Sequence, residues 1–141
     1  AGVVDTDGLA GRLGRKPRAA RPGGFDWPVE GEVVTPFSEG WRKACHGIEI
    51  AAAAGTPVRA ARAGKVLLAQ QFPGYGNLIL IDHGDGFASV YAYLRAMKAR
   101  EGDRVRKGQE IASVGDKNST PLLFFQIRRK GVKVDPMEYL P

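Results

Sequence analysis

From Phe25 onward the chain alternates between short apolar runs and glycine-containing turns. Val66–Phe72 (VLLAQQF) and Leu78–Asp82 (LILID) are apolar and partly β-branched, bounded by Gly64 on one side and by GYGN between them. Phe87–Leu94 (FASVYAYL) has period two. Ala88, Val90, Ala92 and Leu94 fall on one face of a strand, and Phe87, Ser89, Tyr91 and Tyr93 on the other. Glu110–Val114, Leu122–Arg128 and the segment GVKVDP continue the series. Strands recurring at intervals of about 8–12 residues, joined by glycine turns, predict an all-β sandwich or barrel. Only Pro136–Leu140 predicts a helical turn.

Composition agrees with this pattern. Nineteen glycines and nine prolines in 141 residues supply the turns. Residues 1–24 differ from the rest: Arg12, Arg15, Lys16, Arg18 and Arg21 stand in a segment with few apolar residues, which predicts a basic linker or flexible arm before a single domain at 25–141. The net charge of +6 favours anionic partners. Aromatic residues are not interleaved with the basic ones in a base-stacking pattern, so nucleic acid is not expected. No run of about 18 apolar residues occurs, so no membrane span is expected within this chain. The one cysteine, Cys45, excludes an internal disulfide.

Candidate chemistry concentrates in KACHGIEIAAAAGTPVRA, Lys43–Ala60, where Cys45, His46 and Glu49 fall within five positions. If Gly47–Ile50 is extended, His46, Ile48 and Ile50 face one way and Cys45, Gly47 and Glu49 the other. His83, in IDHGDG, reads as a structural histidine at a strand end. Leu122–Phe125 (LLFF) is an unbroken apolar run, the mark of a strand buried on both faces. GDRVRKGQEIASVG has the turn of biotinyl and lipoyl carriers, but Lys98 lies only four residues before Gly102 and cannot occupy the carrier hairpin.

Five segments in order, WPVEGEVVTPF, HGIEIAAAAGTPVRAARAGKV, GYGNLILIDHGDGFASVYAYL, GDRVRKGQEIASVG and PLLFFQIRRKGVKVDP, resemble the LytM or lysostaphin-type domain. Its active members are zinc endopeptidases that cut peptidoglycan cross-bridges. The resemblance implies an antiparallel β core with a groove and few or no helices. It also implies that the family's metal and catalytic positions fall on Cys45, Glu49, Tyr93, Leu122 and Phe124, and all five depart from the family pattern. Leucine and phenylalanine cannot coordinate a metal, and two ligands hold zinc loosely. Without an acid/base partner, bound water would also lack its base.

The resemblance therefore points to degenerate, non-catalytic members that activate a peptidoglycan amidase in the periplasm or cell envelope during daughter-cell separation. No metal and no cofactor is expected. The vestigial groove would bind a helical regulatory segment of the amidase through His46, Glu49, Tyr75, Tyr93, Phe124 and Arg128. On this reading Phe124→Glu abolishes activation and leaves the fold intact. The alternatives are a residual zinc endopeptidase using Cys45 and Glu49, and a module that binds peptidoglycan or scaffolds other envelope proteins.

Overall fold

The computed structural model describes residues 24–40 and 44–141. The basic arm expected before Phe25 lies outside the described residues, apart from Gly24. The described chain forms eleven strands: β1 (Glu32–Thr35), β2 (Ile48–Ala51), β3 (Pro57–Arg59), β4 (Gly64–Phe72), β5 (Gly76–Gly84), β6 (Phe87–Met97), β7 (Arg104–Val105), β8 (Glu110–Val114), β9 (Asp116–Lys117), β10 (Thr120–Arg129) and β11 (Val132–Val134). The strand pairs are antiparallel, in the order β1-β2-β10-β6-β5-β4-β7. β3 pairs with β8, and β8 joins the sheet through β6. The predicted helical turn is a 3-10 turn at Pro136–Glu138, capped by the Asp135 carboxylate, which accepts from the Met137 N–H at 3.0 Å.

One face of the sheet builds the main core, with Ile48, Ile50, Ile79, Ile81, Tyr91, Ile111, Leu123, Phe125 and Ile127 buried together. Hydrophobic burial of this set supplies most of the driving force for folding. The other face carries a smaller cluster of Leu78, Val90, Ala92 and Phe124. The LLFF run is thus buried on both faces, as its pattern predicts: Leu123 and Phe125 point into the main core and Phe124 into the smaller cluster.

Strand β6 departs from strict alternation at Tyr93. Its φ is +61°, in the left-handed region that costs a non-glycine residue about 1–2 kcal/mol. Asn77 pairs with Leu94 and Ile79 with Tyr91, so β6 spends one extra residue here, as a β-bulge does. Two consequences follow. Tyr93 moves onto the face of Val90, Ala92 and Phe124, and Leu94 joins the main core with Tyr91, which reverses the face assignment that simple alternation predicts for both. The strand also changes partners, pairing with β10 before the bulge and with β8 after it. Three contacts hold the strained residue: its N–H donates to Tyr75 O (2.9 Å), its carbonyl accepts from the Gly115 N–H (2.9 Å), and its hydroxyl donates to Gly74 O (3.0 Å).

His83 is structural, as its sequence context predicts. Its Nδ1 lies 2.8 Å from Ala63 O and its Nε2 2.7 Å from the Ser89 hydroxyl. Ser89 Oγ in turn lies 2.8 Å from the Tyr91 hydroxyl, which accepts from the Ala61 N–H at 2.9 Å. Burial is the main cause that lowers the His83 pKa below 6.5. The Arg62 charge adds to it, and the Ala63 bond and the Asp82 charge oppose it. The unfolded chain therefore binds more protons than the folded one just below pH 6.5, so stability falls as pH falls through that window and then levels off below the folded value. Denaturant titrations between pH 7 and pH 5 are expected to show this loss, and His83→Gln is expected to flatten it.

Candidate functional site

The smaller apolar face is built in register across four strands. Phe124 on β10 pairs with Ala92 on β6 on one side and with Glu49 on β2 on the other. Leu78 on β5 packs beside them. Phe124 is only 7% exposed, and the reason is two tyrosines. The Tyr75 ring lies 6.0 Å and the Tyr93 ring 6.5 Å from it, centroid to centroid, and the two tyrosines are 6.4 Å apart. Tyr75 is the outermost of the three, 41% exposed. The groove implied by the resemblance is therefore not open over Leu122 and Phe124. Leu122 is 4% exposed, and rings contributed by the Gly74–Gly76 turn and the β6 bulge lie over Phe124.

Cys45 and Glu49 face this cluster, as alternation along β2 predicts. Cys45 is half-buried against it and its thiol donates to Gly47 O at 3.3 Å. Glu49 is buried, and its carboxylate accepts from the Thr35 hydroxyl (2.7 Å) and from Lys117 Nζ (2.6 Å). Burial pushes the Glu49 carboxyl upward, but these two hydrogen bonds and the Lys117 charge outweigh it and hold the group below the ordinary value. Lys117 Nζ also sits 5.8 Å from the Tyr93 ring centroid. Burial raises the Tyr93 phenol, which leaves still less phenolate to act as a base at neutral pH.

His46 and Arg128 do not join this group. His46 is exposed with its ring 6.3 Å from Phe37, and its carbonyl accepts from Gln126 Nε2 at 3.0 Å. Gln126 Oε1 accepts from Arg128 Nε at 2.7 Å, so Arg128 is tied along β10, four residues beyond Phe124 on the same face. Sequence reasoning missed Thr35 and Lys117. The available signal for Lys117 was DKNST between two apolar runs: Asn118 (φ +49°) and Ser119 (φ +71°) form a tight hairpin that folds β9 back on β10.

Residues 43–136 match peptidase family M23, well over half of the chain. The chain belongs to this family. It is 42% identical over 119 residues to an Escherichia coli protein named "Uncharacterized lipoprotein YgeR", covering 82% of this chain and 46% of that one. It is 44% identical over 119 residues to the E. coli "Murein hydrolase activator NlpD", covering 82% of this chain and 31% of that one. The chain thus spans less than half the length of these relatives. Among solved structures, a zinc-containing peptidase from Vibrio cholerae superposes with a TM-score of 0.78 at 26% identity, over 84% of this chain and 41% of that one. The all-β fold is that of the M23 family.

M23 peptidases of the active type hold zinc, and the residues present here do not fit that ion. Among the described residues, no three His, Cys, Asp or Glu side chains come together as a metal site. Cys45 and Glu49 are the donors at the cluster, Phe124 and Leu122 have no lone pair, and an ammonium group already occupies the Glu49 carboxylate.

Proposed function

We propose that this M23 domain is non-catalytic and activates a peptidoglycan N-acetylmuramoyl-L-alanine amidase in the periplasm or cell envelope. In this reading a helical regulatory segment of the amidase lies on the face topped by Tyr75 and Tyr93. The observation that carries the reading is the replacement of a hydrolytic donor set by an aromatic stack: Phe124 buried, Tyr93 above it, and Tyr75 presented to solvent. Exposed aromatic rings backed by a rigid sheet make effective anchors for an amphipathic helix. Arg128 supplies a charged rim on the same face, and Glu49 and Phe124 act beneath the surface by shaping it. His46 lies at the edge.

The relative named a murein hydrolase activator supports this reading, as does the lipoprotein name of the other, which fits the cell envelope. Mechanistically, the domain binds only the amidase conformer whose regulatory segment is free. It shifts the closed–open equilibrium by its differential affinity for the two states and by no more.

The test is dye release from labelled sacculi by an amidase, with and without this domain. The domain alone is expected to release no dye, and with the amidase it is expected to raise the rate. Tyr75→Glu places a charge at the outermost ring, where folding tolerates it. It is expected to reduce activation by about tenfold or more, while thermal stability changes by no more than about 1 kcal/mol. Full activation by a folded Tyr75→Glu protein would contradict this assignment of the docking face.

A further inference from the structure

A buried carboxylate needs a cation or a dense set of donors, because desolvation of an unpaired charge is costly. Glu49 faces the cluster at the position where the M23 resemblance places a metal ligand. The chain supplies its cation from within. Lys117 reaches from the β9 hairpin to the Glu49 carboxylate at 2.6 Å and stands over the Tyr93 ring, 5.8 Å from its centroid. The ammonium therefore lies against Glu49 and Tyr93, two of the five positions that carry metal and catalytic groups in the peptidases.

We propose that the Lys117 ammonium substitutes for the divalent ion of the M23 peptidases, neutralising the site from inside and closing it to metal. Charge balance agrees with this. The site holds one carboxylate and one ammonium, and the Cys45 thiol donates to Gly47 O. A divalent ion in the same place would have to evict Lys117, strip the proton from Cys45 and break that hydrogen bond. The ion pair also does the mechanical job of a bound metal, tying β9 to β2 across β10 between residues 68 apart in sequence. The inference rests on family membership and side-chain geometry, and it is independent of the amidase reading.

Two measurements test it, neither of which contains an amidase. In the first, zinc is titrated calorimetrically into Cys45→His/Phe124→His and into the same protein carrying Lys117→Met. The added Lys117→Met is expected to tighten zinc binding by about tenfold or more, because the competing cation is gone. Equal affinities in the two proteins would overturn the proposal. The second keeps Cys45 and Phe124 native and compares melting temperatures. Lys117→Met alone is expected to lower the melting temperature, by leaving Glu49 unpaired, and Glu49→Gln/Lys117→Met is expected to recover most of the loss. No recovery in the double variant would show that Lys117 does not neutralise Glu49, and the proposal would fail.

Discussion

Phe124→Glu is expected to destabilise the domain by about 3–5 kcal/mol, a large share of the roughly 5–15 kcal/mol that holds a domain of this kind together. Phe124 is packed against Leu78, Val90 and Ala92 and lies beneath Tyr75 and Tyr93. Removing the ring forfeits that burial and opens a cavity. The new carboxylate would then stand directly opposite Glu49, its cross-strand partner, where like charges repel. One Lys117 cannot neutralise both. Urea unfolding of the variant is expected to show a much lower midpoint with an unchanged slope. A midpoint equal to that of the unsubstituted protein would mean that Phe124 is not part of a packed layer. The same experiment on Tyr75→Glu is expected to give a near-native midpoint, because that ring is already half in water. Loss of activation in Phe124→Glu would therefore report on stability, whereas loss in Tyr75→Glu reports on docking.

That contrast shows how far the sequence reaches. The longer strands β4, β5, β6, β8 and β10 were legible as apolar runs set off by glycine-containing turns, and β8 spans Glu110–Val114 as its pattern predicts, whereas β9, Asp116–Lys117, has no apolar residue to mark it. The parity of β2 was legible too: Ile48 and Ile50 enter the main core, and Cys45 and Glu49 face the smaller cluster. What alternation could not supply was the extra residue at Tyr93. Nothing in YAYL marks a left-handed tyrosine, because the conformation is imposed by contacts with Tyr75, Gly74 and Gly115, which are distant in the chain or belong to another turn. The burial of Phe124 was legible in the LLFF run, but its cover was not, since that comes from the bulge and from the Gly74–Gly76 turn. Lys117 was missed because a lysine in a polar turn is usually solvated. Its partner, Glu49, lies two strands away.

Gly47→Ala is expected to cost about 2–3 kcal/mol, although it adds a single methyl group. The glycine has no left-handed backbone to protect, so the cost is one of space. A Cβ at this position would stand 2.5 Å from Phe125 O, 2.7 Å from Phe124 Cζ and 2.8 Å from Phe124 Cε1. The carbonyl belongs to β10 and cannot yield without prising β2 away from that strand. The Phe124 ring cannot yield either, because Tyr75 and Tyr93 lie against it. The displacement must therefore pass into β2, two residues before Glu49, and it is expected to loosen the Thr35 and Lys117 hydrogen bonds as well. Hydrogen exchange should accordingly speed up at β2 and β9 first, ahead of the main core. Gly40→Ala is the control: its nearest neighbour is the Ser38 hydroxyl at 3.6 Å, so it is expected to change stability by no more than about 0.5 kcal/mol. If Gly47→Ala melts with the control, β2 and β10 are not packed as closely as the register of Ile48 on Phe125 requires.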